Sequence, residues 1–230
     1  MAAVASNRIL SSLPARILAV MKPHLRPVEM RFGDRLAEAG VTVKRVYFPQ
    51  TGAISLVVPL SAGDLIETAM VGRDGVLNAA SALDGKRSMI TGIVQVAGTA
   101  SWIDVNRLRA IADEHKALRA LVIRHEQVVL AQCQQSAACN ASHTVEDRMC
   151  RWLSRMRDLA EDDNLELTQD FLSRMLGVRR ASVSTIANSL KEAGLIVYSR
   201  GRIRVRNRKK LKLASCECYA AVKANYDTLI

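Results

Sequence analysis

The chain has 230 residues, 49% hydrophobic and 24% charged, and a net charge of +11 from 33 Lys and Arg against 22 Asp and Glu. That length suits two domains, each with its own core, and the composition excludes a disordered or collagen-like chain. Arg8 and Arg16 interrupt the first apolar residues, and no stretch of about 18 predominantly apolar residues occurs, so a soluble, cytoplasmic protein with no membrane partner is expected.

Residues 7–22 read as one or two short helices with Ile9, Leu10, Leu13, Ile17, Leu18 and Met21 inward, Pro14 starting the second turn. Pro23 and Pro27 mark an extended connector. Short β-branched and aromatic runs then alternate with glycine turns as far as Ile103. The predicted strands are 43–48, 53–59, 66–71, 88–96 and 99–103, a pattern of rolled or sandwiched antiparallel sheet. Neither a βαβ alternation nor the dinucleotide glycine fingerprint is present. Within this region Gly72 and Gly75 bracket Asp74, and Arg87 and Ser88 follow. A carboxylate at a glycine turn can accept a sugar hydroxyl, and an arginine beside free amides can hold a phosphate. A plain surface loop between strands fits the same residues.

Residues 104–115 form a short predicted helix capped by Asp104, and 116–140 a longer one. In the second, Leu118, Leu121, His125, Val128 and Gln132 recur three and four apart, as in a two-stranded coiled coil. Val122, Val129, Cys133 and Ser136 form a neighbouring stripe. At about 1.5 Å per residue the helix reaches roughly 37 Å, enough to line a dimer axis; a single buried helix in a monomer is the other reading. Asn140, Ser142 and His143 interrupt it, and a helix starting at Thr144 carries Met149, Trp152, Leu153 and Met156 on one face. The break between them reads as a hinge.

After an acidic turn at 161–164, Thr168 suits a helix N-cap, and Phe171, Leu172, Met175 and Leu176 face inward until Gly177 ends the helix. A second helix buries Val183, Ile186, Ala187 and Leu190 and turns Ala181, Ser184, Thr185 and Asn188 outward, with Arg179 and Arg180 at its start. Leu195, Val197, Ile203 and Val205 flank a turn as a two-stranded wing. Two short helices presenting small polar and arginine side chains suit a DNA major groove. Between Gly194 and Ser215 there are eight basic residues and no acidic one, and Arg200, Arg202, Arg204 and Arg206 share one face of the extended wing. Such a surface tracks phosphates.

All five cysteines (Cys133, Cys139, Cys150, Cys216 and Cys218) lie in the second half and are expected as reduced thiols. Cys216 and Cys218 have no matching second pair or histidine cluster after them. Cys139 and His143 stand four apart, but across the predicted helix break. No metal site is expected.

In order, the pieces make an α+β chain: an antiparallel β-roll (1–115), a long dimerisation helix and hinge (116–142), and a winged helix–turn–helix (143–230). LTQDFLSRMLGVRRASVSTIANSLKEAGLI with its wing, and FPQTGAISLVV in the roll, resemble the Crp/Fnr family of bacterial transcription regulators. The resemblance implies a homodimer on double-stranded DNA, and RNA polymerase as a partner if it activates. It puts Arg179, Arg180, Ser182 and Ser184 at the start of the recognition helix (about 179–192), and the outward arc and wing alternation add Thr185, Asn188, Arg200 and Arg202 to the expected DNA-binding set. Thr168 and Gln169 would touch the backbone. It likewise implies an effector cradle of Gly72, Asp74, Gly75, Arg87 and Ser88, with Cys133 at the long-helix position that faces the base. Ala181 replaces the family's glutamate after the recognition arginine, so the family's operator is not carried over. Asp74 lies three residues farther from Arg87 than the cyclic-nucleotide pattern asks, and Met89 replaces an alanine; cyclic AMP is not implied, and the effector stays open. The chain has no cysteine before Cys133 and only His24 as a roll histidine, so neither an iron–sulfur cluster nor haem is expected. A ligand-gated regulatory subunit that binds a protein partner is the alternative. No nucleophile–base pair points to an enzyme.

Overall fold

The computed structural model describes residues 6–61, 63–84, 87–199 and 201–229. Two short helices open it, α1 (Arg8–Ser11) and α2 (Ala15–Met21). Asn7 caps α1 by accepting from the Leu10 amide, and its own amide donates to Pro49 O (2.7 Å) and Gly75 O (3.0 Å). That buried side chain ties the start of the chain to the roll.

The roll is two antiparallel sheets. One has the order β1 (Arg26–Met30), β7 (Gly98–Asp104), β3 (Arg45–Pro49). The other has the order β2 (Arg35–Ala37), β6 (Thr91–Val96), β4 (Ala53–Pro59), β5 (Leu65–Val71). β1 lies in the expected connector, and β2 is only a short bulged edge. Pro27 is tolerated because β1 is an edge strand. The expected strand over 88–96 begins only at Thr91, because residues before it turn back; Arg87 makes a lone bridge to Thr42. α3 (Ala79–Asp84) fills the loop between β5 and β6.

β4 explains how the halves of the chain join. Ile54 and Leu56 face the roll interior, while Ala53 and Val57 belong to the same core as Trp152, Met156 and Leu172 of the C-terminal domain. The strand is buried on both faces, so its run Ala53–Val57 is apolar except at Ser55.

Asp104 caps α4 (Val105–Glu114) by accepting from the Asn106 and Arg107 amides. α5 (Lys116–Ser142) runs two residues past the expected break and ends at His143, whose backbone is extended. α6 (Val145–Ala160) starts in a capping box between Thr144 and Asp147. The C-terminal domain continues as β8 (Asn164–Leu165), α7 (Gln169–Leu176), α8 (Arg180–Glu192), β9 (Ile196–Ser199), β10 (Arg202–Val205), α9 (Arg208–Leu213) and α10 (Cys218–Asp227). The wing has three strands, β8–β10–β9, one more than expected, because the acidic turn returns far enough to pair with β10. Residues 208–213 coil into α9, capped by Asn207, so Arg208, Lys209, Lys210 and Lys212 lie on a helix rather than in the wing. Among the described residues no helix is long and apolar enough to cross a membrane.

Polar groups buried between roll and α6 are few and specific. Arg155 Nη1 donates to Asp74 Oδ2 at 2.8 Å, with both side chains buried, and its guanidinium stacks on the Tyr226 ring at 4.5 Å. Glu67 on β5 accepts from the Ser55 hydroxyl beneath Trp152. Burial pushes the Glu67 carboxyl up to about 7, although Ser55 and the charge of Arg151 pull against it.

Asp74→Ala should cost about 3–5 kcal/mol in urea unfolding, because it strands the Arg155 charge in the core. A loss within surface-mutation range would show that this pair carries no weight. Glu67 binds its proton more tightly in the folded chain than in the unfolded one. The folded form therefore holds extra protons between pH 4.5 and about 7, and stability falls as pH rises across that window. Glu67→Gln, which keeps the neutral form, should be more stable than wild type by about 3 kcal/mol near pH 8 and nearly equal to it near pH 4. Unfolding at both pH values checks this; a difference independent of pH would exclude a neutral Glu67.

Candidate nucleic-acid interface

Thr168 accepts from the Phe171 amide at 3.1 Å and starts α7, and Gly177 ends it in the left-handed conformation (φ +63°). The turn to α8 is three residues, Gly177 to Arg179, and α8 then runs with Val183, Ala187 and Leu190 buried against α6 and α7. Gln169 and Ser184 hold the two helices at their angle, the Ser184 hydroxyl donating to Gln169 Oε1 at 2.6 Å. The Thr185 hydroxyl donates back to Ala181 O at 3.1 Å. At the other side of α7, Gly201 of the wing turn lies against Thr168, where an added Cβ would sit 3.3 Å from Thr168 Cγ2. Thr168, Gln169, Ser184 and the wing turn therefore form one continuous surface.

On that surface Arg179, Arg180, Ala181, Thr185 and Asn188 are exposed, and Ser182, Ser184 and Gln169 half-buried. Arg202, Arg204 and Arg206 are exposed while Ile203 and Val205 are buried, the alternation expected of the wing. Arg200 lies outside the described residues. Arg202 meets Glu166 at 3.2 Å in an exposed pair. Asp163 takes Arg157 and Arg208, and Asp158 takes Lys212, so part of the basic excess is matched within the domain. Among the described residues no ion pair holds Arg179, Arg180, Arg204 or Arg206.

The effector set is dispersed. Asp74 cannot receive a sugar hydroxyl from solvent, because it is 4% exposed and paired with Arg155. Gly72 and Gly75 serve close packing: a Cβ on Gly72 would sit 2.8 Å from Leu159 Cδ2, and one on Gly75 2.8 Å from His125 Nε2. The Val76 amide donates to that same nitrogen at 3.2 Å, so the turn is plugged by α5 and α6. Ser88 is buried with its hydroxyl donating to Ile90 O, whereas Arg87 is exposed. Cys133 is half-buried in the roll core. Asp74 and Ser88 line different cavities, the first with Arg73, Arg155 and Tyr226, the second with Thr42, Tyr47 and Asn78.

The stripe expected at a dimer axis also changes place. Leu118, Leu121, His125 and Gln132 are buried inside their own chain and Val128 packs half-buried beside them. The Gln132 amide meets the Tyr226 hydroxyl at 2.9 Å, so α10, an unforeseen helix, covers that face. The uncovered face of α5 carries Ile123 (49% exposed) and Leu130 (58% exposed). Gln127 and Gln134 complete a three–four repeat there. The neighbouring stripe of Val122, Val129, Cys133 and Ser136 is covered as well, so neither stripe read from the sequence lies on the free face.

Cys139, His143, Cys216 and Cys218, treated apart in the sequence, come together at the α5–α6 junction with their donor atoms within 4.8 Å of one another.

Residues 147–214 match the model of the Crp-like helix–turn–helix domain. No curated protein matches the chain. Among solved structures, FixK2 from Bradyrhizobium japonicum is similar at 18% identity and a TM-score of 0.69, over 84% of this chain and 98% of that one. A CRP-family transcriptional regulator from Thermus thermophilus is similar at 18% identity and 0.67, over 82% and 96%. The c-di-GMP-responsive global regulator CLP of Xanthomonas campestris is similar at 14% identity and 0.66, over 84% and 100%. Residues 147–214 are a Crp-like helix–turn–helix domain, and the chain around them has the fold of Crp/Fnr regulators of transcription.

Proposed function

We propose that the protein is a homodimeric transcription regulator that binds duplex DNA with α8 in the major groove and the wing along the backbone. One observation carries the reading: the exposed, unpaired Arg179 and Arg180 open α8 on the surface that also bears Thr168 and the wing. Side chains at the start of a recognition helix reach base edges, and arginine binds guanine in a bidentate way. Arg202, Arg204 and Arg206 would neutralise phosphates and make affinity salt-dependent. Ala181 presents no carboxylate to cytosine, so the half-site read by this helix differs from one read through glutamate.

The two-fold axis is best served by the free face of α5, where Ile123 and Leu130 stand seven residues apart. Gating by a small ligand, in this reading, acts through the seam between roll and C-terminal domain. α7 rests on the roll there, with Ile66 under Gly177, Phe32 edge-on to Phe171 at 6.0 Å, and the Asp74–Arg155 pair behind. A ligand that favours one packing of that seam would shift the population competent for DNA.

Sites selected from a random duplex pool supply the probe. Arg180→Ala should weaken the selected site by about 1–3 kcal/mol and relax its preference at one base pair. Arg204→Ala should weaken selected and unselected DNA alike and flatten the salt dependence. An Arg180→Ala protein that binds like wild type would remove α8 from the groove. In sedimentation, Ile123→Asp and Leu130→Asp should each give a folded monomer, since a charge at a coiled-coil seam is stranded on pairing. A dimer that persists in both places the axis elsewhere.

A further inference from the structure

Cys139 and His143 sit at the end of α5, and Cys216 and Cys218 flank Glu217 at the start of α10. Because α5 continues to Ser142, Cys139 keeps its helical backbone bond to the His143 amide (3.0 Å), and the extended His143 swings its ring toward the C-terminal segment. Cys139 Sγ lies 3.5 Å from Cys216 Sγ, and Cys218 Sγ lies 3.6 Å from His143 Nδ1. The four donor atoms are mutually within 4.8 Å. A tetrahedral zinc site with its usual Zn–S and Zn–N bonds separates two sulfurs by about 3.8 Å and a sulfur from a nitrogen by about 3.5 Å. A disulfide needs the sulfurs at about 2.05 Å, well inside the separation of Cys139 and Cys216.

The surroundings fit coordination as well as the donors do. His143 Nε2 lies 3.1 Å from Glu217 Oε1, the arrangement in which a carboxylate holds the far ring nitrogen and leaves Nδ1 free to ligate. The Gln135 amide donates to Cys218 Sγ at 3.0 Å, fixing the sulfur in place beside the other donors. Cys139 and Cys218 are buried and Cys216 half-buried; burial pushes the Cys139 thiol up, and the buried cation Arg151 pulls against it. Three thiolates around a divalent ion leave one negative charge for such a cation to balance.

We propose that Cys139, His143, Cys216 and Cys218 form a structural zinc site that staples the α5–α6 junction to the C-terminal helix. Three soft sulfurs, one imidazole and no carboxylate in direct contact with the ion select zinc over hard cations. Four protein donors close the tetrahedron, so the ion supports structure rather than catalysis. Binding releases the three thiol protons and transfers no electrons. The staple spans the hinge between the long helix and α6 while α10 packs on both, so the ion restrains the joint where the two domains could move. Nothing in this assignment depends on DNA binding.

The full chain, purified under reducing conditions and reconstituted with Zn2+, should hold one equivalent of zinc by elemental analysis. Co2+ in its place should show the intense visible bands of a tetrahedral thiolate site. Cys216→Ser/Cys218→Ser should lose the ion, while Cys133→Ser and Cys150→Ser keep it. Glu217→Gln should weaken zinc about 10–100-fold, which a purely structural surface carboxylate would not. Wild-type chain that takes up no stoichiometric zinc overturns the proposal whatever the variants do. So does zinc retained by Cys216→Ser/Cys218→Ser, or a Cys139–Cys216 disulfide found by peptide mapping of unreduced protein.

Discussion

The structure depends on α6 being buried from both sides. Trp152, Met156 and Leu159 pack in one core with Ala53, Val57, Met70 and Ile93 of the roll and with Leu172, Val183 and Leu190 of the helix–turn–helix. Burial at about 25 cal/mol per Å2 rewards this continuity, and it favours partners for the charged groups that the seam encloses. Asp74 meets Arg155, Glu67 meets Ser55 and the Arg148 guanidinium donates to Leu176 O. These contacts set the position of α7 on the roll, and through the Gln169–Ser184 bond the direction of α8.

Charge is sorted by the same geometry. The acidic turn and the end of α6 gather Asp158 and Asp163, which take up Arg157, Arg208 and Lys212. The Asp163 carboxyl is lowered chiefly by the hydrogen bond from Arg208, with burial acting the other way. Among the described residues, the exposed arginines of the helix–turn–helix and wing that no ion pair holds are Arg179, Arg180, Arg204 and Arg206. A net charge of +11 therefore overstates what any one partner meets, since part of it is matched within the chain.

Much of the C-terminal domain was legible because its signals are local. Thr168 and Gly177 bound a helix whose burial follows a 3.6-residue period, and the wing alternates at Arg202–Val205 as a strand must. In the roll, β4 was readable from an apolar run, but β1 and β2 were not, since a proline-containing edge and a three-residue strand carry almost no pattern. The effector residues misled because Asp74 between glycines looks like a cradle in one dimension. The side chains that fill that cradle, His125, Leu159 and Arg155, arrive from residues far along the chain. Cys139 and His143 looked separated by a break that falls after Ser142, and their partners lie more than seventy residues away.

By itself, then, the sequence determined the succession of roll, long helix and C-terminal domain, the helix–turn–helix with its exposed arginines, and the basic wing, because caps, turns and periodicity act over a few residues. Tertiary structure decided which stripe of α5 is free, what Asp74 binds and which thiols meet. Those outcomes depend on α10 folding back over α5 and α6, a long-range placement set by Tyr226, Tyr219 and the residues they reach.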